Sequence, residues 1–560
     1  MSSSQPVANI SRNLATRAHD HGDRWAFRII DTPTSWPRAV SYAELHDMVS
    51  ACAGGLAARN ITRGSRVVVF VPMSLDLYVV LLALFRIGAV AVFIDPWGGR
   101  AMIESAAALV EADAFIGIPK AHALRASSRT IRRIPLQIIT GASRSAYAAA
   151  RLPRTVHLDQ IMSSGSAMED SAEVDTTDPA LITFTGGSTG TPKGADRTHG
   201  FLAAQHEVLE RNVDLATDDL CLTNLPIVVL HGLGRGTTTI LPPPALAQDP
   251  RVDGVWLHDL LDEMRVAVMA VSPAPIDGLA RSRRRSPVNS VRHVYTGGGP
   301  VLPELIERIQ PILPQATFTA IFGSTEAEPI AHARAGDVMH RRDELRSRGG
   351  IWIGQPVSDI QSRVIRSTSG PVEIAPGTCL SDWTVRDGAP GELIVAGPHV
   401  NRHYFRNPDA ERTTKIRDEA GTTWHRTGDI VRSDGEGGYW LLGRLGADIR
   451  LGDKRVWPLE IETRLSDHPD IARAAVVTPQ FDGAQREFRN ASAVVAVEPT
   501  PGRPRGAARH AALEILARSG LDALLEVRTL EHIPVDKRHG TKIDSDTLRD
   551  TLKPRDTGDY

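Results

Sequence analysis

The residues with the clearest chemical potential lie in one glycine-rich run, Thr185-Gly186-Gly187-Ser188-Thr189-Gly190-Thr191-Pro192-Lys193-Gly194. Glycines lack a Cβ, so their backbone N–H groups can turn toward an anion, and the hydroxyls and the lysine add donors and positive charge. The run is not a Walker loop, because Lys193 is followed by glycine and the glycine spacing differs. We interpret it as a loop that holds a triphosphate, with a flexible Gly/Ser turn as the alternative.

Elements on either side would position this loop. The apolar run ALITF predicts a strand before it, and a helix is expected to begin near His199. Short apolar runs bounded by Gly, Pro or Asp recur through the first two-thirds of the chain, namely RVVVFV, AVAVFI, ADAFIGI, VAVMAVS and VRHVYTGG. Most are followed by an amphipathic stretch of helical length, which is the pattern of βαβ units and parallel sheets.

The predicted fold class is α/β. It comprises a large N-terminal lobe of parallel-rich sheets with helices plus a β-rich subdomain near 349–397, and a small mobile α+β C-terminal domain. The sequence changes character after Gly443, so we predict a large domain at 1–443, a hinge at 443–447 and a small domain at 447–560. Gly446 and Ala447 would form the pivot, and 498–506 reads as a surface loop.

Composition limits the classes of protein that this chain can belong to. Its formal net charge of −2 over 560 residues gives no reason to expect a nucleic-acid partner. Cys52, Cys221 and Cys379 are too far apart for a zinc site or a disulfide framework, which fits a reducing cytoplasm. The most apolar stretch, Val67–Val92, is interrupted by proline and charged residues, and so predicts a buried strand and helix rather than an integral membrane segment. We expect a cytoplasmic protein without a secretory signal.

The glycine-rich run resembles the phosphate loop of the adenylate-forming superfamily, which includes acyl-CoA synthetases, peptide-synthetase adenylation domains and firefly luciferase. The second residue of that loop is usually serine, and Gly186 stands there in this chain. Further motifs of the superfamily follow in its usual order: His231-Gly232, Gly297-Gly298-Gly299-Pro300, Phe322-Gly323-Ser324-Thr325-Glu326, Thr427-Gly428-Asp429, Gly443-Arg444, and Lys542 in KIDSDTL. An ordered set of this kind identifies a member of the superfamily.

The resemblance implies a reaction in which a carboxylate attacks the α-phosphorus of ATP, forming acyl-AMP and releasing pyrophosphate. Both reactants are anions, so the protein must chiefly neutralise and align them. The implied cofactors are ATP and Mg²⁺, while the need for CoA stays open. The expected partners are a small-molecule carboxylic acid and other enzymes of its pathway.

The resemblance also assigns roles to individual residues. The catalytic set would be Lys542, Glu326, Thr189 and Lys193. Within it, Thr189 and Lys193 would hold the β- and γ-phosphates, Glu326 and Thr189 would bind Mg²⁺, and Lys542 would bridge the carboxylate and the α-phosphate when the small domain closes. The nucleotide would also contact Thr185, Gly186, Gly187, Ser188, Gly190, Gly298, Gly299, Phe322, Thr325, Asp429 and Arg444. The acyl pocket would be lined by His231, Gly232, Gly297 and Gly323.

Each of the main assignments has a plainer alternative. Glu326 could be an ordinary acid at a helix N-terminus, and Asp429 could be a turn residue after Gly428. Lys542 could be one more solvated lysine in a polar tail. His231 could belong to the core instead of the pocket.

The second half-reaction is predicted from the hinge block and the tail. Gly446 stands where the superfamily usually has an acid or a lysine, and Asp453 stands at the glycine around which thioester-forming members pass a pantetheine arm. A carboxylate there would narrow that path and repel a thiolate, although Asp453 could also be a simple turn residue. The tail PVDKRHGTKI resembles that of bacterial olefin-pathway β-lactone synthetases. That likeness implies a 3-hydroxy acid whose own hydroxyl displaces AMP.

Other functions are compatible with some of these features. An acyl-CoA or acyl-carrier-protein ligase is the main alternative, and a luciferase-like oxygenase shares the adenylation motifs. A P-loop kinase lacks its GK[ST] signature here. A non-catalytic acyl-binding protein would have little reason to keep Lys193, Glu326 and Asp429 together.

Overall fold

The computed structural model describes residues 9–141, 154–185, 192–243, 253–451, 454–478, 493–521, 525–536 and 542–552. Within these ranges the fold is α/β, with two large sheets in the N-terminal lobe and a small α+β domain at the C-terminus. The predicted fold class is confirmed.

The first sheet has seven strands among the described residues. In spatial order they are Thr155–His157, Leu136–Ile139, Ala114–Gly117, Arg66–Phe70, Val90–Ile94, Pro179–Thr185 and Lys193–Thr198. All neighbouring pairs are parallel except the last, which is antiparallel. Its central strands are continuous apolar runs such as Val67–Val69, as expected for a sheet buried on both faces.

The return strand Lys193–Thr198 corrects one prediction. The sequence suggested a strand, a loop and then a helix, whereas the chain after the glycine-rich run first pairs back onto Pro179–Thr185 and only then enters helix His199–Asn212. The run therefore joins two antiparallel strands. The six residues KGADRT are too few and too polar to predict a strand from the sequence.

The apolar stretch after Val71 forms helix Leu75–Ile87, as predicted, and nearly every residue of it is buried. Ser74 caps its N-terminus by accepting a hydrogen bond from the Leu77 N–H, and Gly88 ends it in the left-handed conformation at φ 77°. No helix in the described part of the chain is long and apolar enough to cross a membrane.

The second sheet has fourteen strands among the described residues. Its spatial order is Gln361–Ile365, Gly391–Ala396, Thr423–Ser433, Tyr439–Arg444, Ile351–Pro356, Ala327–Arg334, Thr317–Ser324, His293–Gly297, Val268–Val271, Leu220–Thr223, Thr238–Leu241, Trp25–Ile29 and Arg38–Ser41, with Lys415–Arg417 beside Thr423–Ser433. From Trp25–Ile29 to Thr317–Ser324 the neighbouring strands are parallel. From Thr317–Ser324 onward the pairing is antiparallel, and this half contains the predicted β-rich subdomain.

Helices cover the two sheets of the lobe and separate their strands. The described helices are Ser11–His21, Tyr42–Ala57, Leu75–Ile87, Gly99–Val110, Pro119–His122, Leu124–Ser127, Arg129–Arg133, Leu158–Met162, His199–Asn212, Pro226–Arg235, Gly254–Glu263, Pro273–Arg281, Pro303–Ile309, Ala335–His340, Arg342–Arg348 and Pro408–Thr414, with a 3₁₀ turn at Leu380–Trp383.

The C-terminal domain is built on a small sheet of its own. Strands Ile471–Val477, Ala493–Pro499 and Leu525–Thr529 form it, accompanied by the two-stranded ribbon Ile449–Leu451 and Lys454–Val456 and by helices Pro458–Ser466, Arg505–Arg518 and Ser545–Leu552. The predicted surface loop at 498–506 is shorter in the structure, because its ends belong to strand Ala493–Pro499 and helix Arg505–Arg518. The predicted strand RVWPL is shorter than expected, because Pro458 starts a helix whose Glu460 carboxylate accepts from the Trp457 N–H.

Candidate active site

The glycine-rich run lies at the end of the first sheet. Thr185 pairs with Lys193 across the strands that flank it. The predicted contacts Gly186, Gly187, Ser188, Thr189 and Gly190 fall outside the described residues. Lys193 is partly buried at the first position of the return strand, so its side chain starts from a fixed backbone.

The return strand is bonded directly to the segment that carries Glu326. Arg197 Nε donates to the Thr325 carbonyl at 3.1 Å. Asn401 joins both sides, since its Nδ2 donates to the Asp196 carbonyl at 2.7 Å and its backbone N–H donates to the Glu326 carbonyl at 2.7 Å. Hydrogen bonds therefore hold the return strand Lys193–Thr198 and the backbone around Glu326 together.

Glu326 lies in the tight connection between strands Thr317–Ser324 and Ala327–Arg334. This position rules out a helix N-terminal acid. The Tyr404 hydroxyl donates to Glu326 Oε1 at 2.9 Å. Burial acts to raise the pKa of Glu326, but His425, the Tyr404 hydrogen bond and Lys415 outweigh it and leave the pKa lowered. The side chain is therefore an ionised, hard oxygen donor at neutral pH.

The predicted adenine turn and pocket glycines lie beside this connection. Gly298 has φ +82°, a conformation that suits glycine. A Cβ on Gly297 would come within 2.6 Å of the Ile321 carbonyl on the next strand, so close strand packing alone requires glycine there. Phe322 is partly buried against the core of the antiparallel half of the sheet, and a Cβ on Gly323 would stand 3.0 Å from the Ala327 carbonyl.

Asp429 lies within the long strand Thr423–Ser433, not in a turn. Its partner across the ladder is Arg444, whose Nη1 donates to Asp429 Oδ1 at 2.6 Å. Burial raises the pKa of Asp429, and the charges of Arg444 and Lys542 partly offset that rise. The side chain of Asp429 is 9% exposed and that of Arg444 is 67% exposed, so the pair joins a buried carboxylate to a guanidinium at the protein surface.

Lys542, in the C-terminal domain, acts on this same ion pair. Its charge acts on the pKa of Asp429, which places the two groups near each other although they are far apart in sequence. The Asp536 N–H donates to the Lys542 carbonyl at 2.8 Å, and Val535 and Ile543 form an isolated antiparallel bridge. The structure thus brings Glu326, Asp429, Arg444 and Lys542 together.

Sequence reasoning missed a polar cluster behind Glu326, consisting of Asn401, Tyr404, Lys415 and His425. Lys415 Nζ donates to the Asn401 carbonyl at 2.5 Å and to His425 Nδ1 at 3.1 Å, and it lies 5.0 Å from the centre of the Tyr404 ring. Burial lowers the pKa of Lys415 to about 7 and that of His425 to about 3. One signal was present in the sequence, since His425 lies two residues before the Thr427-Gly428-Asp429 motif.

His231 lies on a helix, and its nearest polar partner is another histidine. It is 2% exposed in helix Pro226–Arg235, and its Nδ1 lies 3.0 Å from Nδ1 of His206 on helix His199–Asn212. Burial, together with His206, lowers the pKa of His231 to about 3. Gly232 follows it in the same helix, where a Cβ would stand 3.3 Å from the Thr239 hydroxyl. Both residues pack between helices and the sheet, and their predicted pocket role stays a prediction.

Charged groups of both signs act on Asp429 and Glu326, as binding of a polyphosphate with a hard cation would require. Within the described ranges, no group of three or more His, Cys, Asp or Glu side chains is placed to hold a metal ion. Mg²⁺ is commonly bound through one or two carboxylates together with substrate phosphates, and Glu326 offers such a carboxylate. Arg444 and Lys542 provide positive charge beside Asp429.

Comparison with known proteins agrees with this arrangement. The AMP-binding enzyme family matches residues 14–405. The olefin beta-lactone synthetase of Xanthomonas campestris pv. campestris is 30% identical over 97% of this chain and 97% of its own length. The olefin beta-lactone synthetase of Stenotrophomonas maltophilia is 28% identical over 96% of this chain and 97% of its own.

Solved structures share the fold at lower sequence identity. The anthranilate CoA ligase AuaEII, in complex with anthranoyl-AMP, has a TM-score of 0.78 at 16% identity, covering 97% of both chains. The amide bond synthetase McbA from Marinactinospora thermotolerans has a TM-score of 0.75 at 21% identity, covering 98% of this chain and 100% of its own.

The family match covers more than half of the chain, and the relatives are similar over nearly its whole length. The chain therefore belongs to the AMP-binding enzyme family, and it is an acyl-adenylate-forming ligase.

Proposed function

We propose that this enzyme activates a 3-hydroxy acid as its acyl-AMP and then closes it to a β-lactone. The observation that carries the proposal is the nearly full-length similarity to two olefin beta-lactone synthetases. The tail residues Pro534–Ile543 and Asp453 support it from the sequence.

In the first step, a carboxylate oxygen attacks the α-phosphorus of ATP, the new O–P bond forms, and pyrophosphate leaves. Lys193, near the phosphate loop, and Lys542, from the C-terminal domain, would offset the negative charge of the two reactants. Asp429 would accept hydrogen bonds from the ribose hydroxyls, and Arg444 would hold Asp429 in place through its 2.6 Å contact. Bound Mg²⁺ would supply charge neutralisation at the phosphates, with Glu326 as its protein ligand.

In the second step, the 3-hydroxyl oxygen attacks the activated acyl carbon and AMP leaves, while the hydroxyl proton passes to solvent. The nucleophile is tethered to the carbonyl, so ring closure has a high effective molarity and needs no external thiol. Cleavage of the acyl-phosphate bond offsets the strain of the four-membered ring.

A second candidate is thioester formation with CoA. The indoleacetate–CoA ligase of Aromatoleum aromaticum is 31% identical over 56% of this chain, which favours this alternative over a luciferase-like oxygenase. The residues of the adenylation step would be the same in both functions, and only the second nucleophile would differ.

The test is product analysis with Mg²⁺, ATP and a panel of carboxylic and 3-hydroxycarboxylic acids, with and without CoA. We expect AMP and pyrophosphate in equal amounts and a β-lactone from a 3-hydroxy acid without CoA. Stoichiometric ADP would overturn adenylation itself. Efficient acyl-CoA formation, with no lactone from any 3-hydroxy acid, would move the enzyme to the CoA ligases.

The domain division completes the proposal. A hinge at 443–447 is supported by Gly446, which has φ +81° and has no atom within 4 Å of the place where a Cβ would stand. The backbone can therefore rotate there without a side-chain clash. We also propose a cytoplasmic location, because the three cysteines are free. We propose in addition that the enzyme contacts other enzymes of its pathway.

A further inference from the structure

Lys415 is a cation inside the site for which the adenylation reaction, as described above, has no use. It starts the short strand Lys415–Arg417 and lies directly opposite His425 on strand Thr423–Ser433. Lys415 is partly buried, and an ammonium group in such a position costs free energy unless its N–H groups all have acceptors. Its acceptors are the Asn401 carbonyl, His425 Nδ1 and, at 3.5 Å, Asn401 Oδ1.

The partners of Lys415 connect it to three separate sequence motifs. Asn401 contacts both the phosphate-loop strand at Asp196 and the Glu326 backbone. Tyr404, under the ammonium group, donates to the Glu326 carboxylate. His425 belongs to the strand that carries Asp429. Asn401, Tyr404 and His425 are each no more than 4% exposed, so Lys415 is held by a rigid surround.

The charge of Lys415 also acts on Glu326 directly. His425, the Tyr404 hydrogen bond and Lys415 together keep the carboxylate ionised against the effect of burial. In its protonated form, which predominates below pH 7, Lys415 attracts the carboxylate and repels a metal cation that approaches it. The charge of Lys415 should therefore weaken metal binding at Glu326 while it helps to hold the Glu326 carboxylate in place.

We propose that Lys415 is a positioning residue for the metal-binding carboxylate: through Tyr404 and Asn401 it fixes Glu326 in the orientation needed for adenylation, and its charge keeps Mg²⁺ binding there from becoming too tight. This inference rests on the proposed role of Glu326. It assigns to Lys415 no contact with the substrate.

The test uses the full-length Lys415→Met variant, which keeps the length of the side chain and removes its charge. At pH 6, where Lys415 is protonated, Mn²⁺ binding is followed by electron paramagnetic resonance in the presence of α,β-methylene-ATP, and pyrophosphate release is measured separately. We expect Mn²⁺ to bind several-fold more tightly, while kcat for pyrophosphate release falls by about tenfold, as for a lost preorganised contact. A purely structural lysine would weaken both, and that result would overturn the proposal.

Two further variants guard against misfolding. Lys415→Arg keeps the charge and should return Mn²⁺ affinity to the wild-type value, and the exposed Lys120→Met should change neither measurement. Tyr404→Phe removes the hydroxyl that donates to Glu326, so its loss in kcat should not add to that of Lys415→Met in a double-mutant cycle. Full additivity would contradict positioning through Tyr404. If the wild type releases no pyrophosphate with any acid, the proposed function fails, while the Mn²⁺ titration still decides the effect of Lys415.

Discussion

The candidate site has a preorganised side, on the large sheet, and a delivered side, in the C-terminal domain, and the two are built differently. Glu326 lies in a tight connection between two strands of the large sheet and Asp429 lies within a strand of it, and their side chains already have partners in Tyr404 and Arg444. Lys542 comes from the C-terminal domain, is exposed, and lies next to Ile543, which forms an isolated bridge with Val535. The groups proposed to bind nucleotide are thus preorganised, whereas the lysine proposed to act at the reacting atoms comes from the C-terminal part of the chain.

The C-terminal domain is nonetheless anchored firmly at one edge. Arg342 Nε donates to Asp467 Oδ1 at 2.9 Å, and Arg346 contacts the other oxygen of the same carboxylate. The Gly350 N–H donates to the Thr463 hydroxyl at 2.9 Å. With the side chain of Asp467 only 4% exposed, this contact holds helix Pro458–Ser466 against the large lobe in the arrangement that brings Lys542 near Asp429.

The largest expected effect comes from the delivered side. Lys542→Ala should reduce pyrophosphate release by roughly a hundredfold or more, because removing one preorganised charge at a transition state costs about 3–4 kcal/mol. ATP affinity, measured by calorimetry, should change little, since Asp429 and Glu326 remain in place. Near-full pyrophosphate release by this variant would show that the two sides do not differ in this way.

The opposite pattern is expected on the preorganised side. Asp429→Ala should weaken ATP binding by about tenfold to a hundredfold, because a buried acceptor facing the ribose hydroxyls is lost. The fold should persist, which circular dichroism would check. Unchanged ATP affinity would mean that Asp429 serves only its ion pair with Arg444.

The anchored edge should respond to pH. Burial, with the Asp467 carboxyl beside it, raises the pKa of Glu304 to about 8, so the folded protein keeps a proton that the unfolded chain loses near the ordinary Glu pKa of about 4.3. The stabilisation by this proton is complete below that value and is lost as pH rises toward 8. Glu304→Gln cannot ionise, so its apparent Tm should rise relative to wild type between about pH 5 and 8. A constant difference in Tm across this window would rule out the effect.

The smallest effect is expected at Asp453, which lies outside the described residues. Asp453→Gly should leave lactone formation within about twofold of wild type, because lactone closure uses a tethered hydroxyl and no pantetheine path. Product analysis by mass spectrometry, with and without CoA, measures both reactions in one sample. A large loss of lactone would give Asp453 a direct role in the chemistry.

The sequence by itself determined the family, the fold class and the residues of each motif. These depend on local patterns: apolar strands alternating with helices, and short ordered signatures such as Phe322–Glu326 and Thr427–Asp429. The apolar runs form strands as predicted, because a short continuous apolar segment is buried most readily within a sheet that is covered on both faces.

Only the tertiary structure decided which of these residues meet. That Lys193 opens a return strand, that Asp429 pairs with Arg444, and that Lys542 acts on Asp429 follow from strand register and domain docking. Lys415 was invisible in the sequence because a lone lysine among polar residues carries no periodic signal. Its proposed role depends on its pairing with His425, which places it behind Glu326. Charges in this partly buried site are weakly screened and therefore interact strongly.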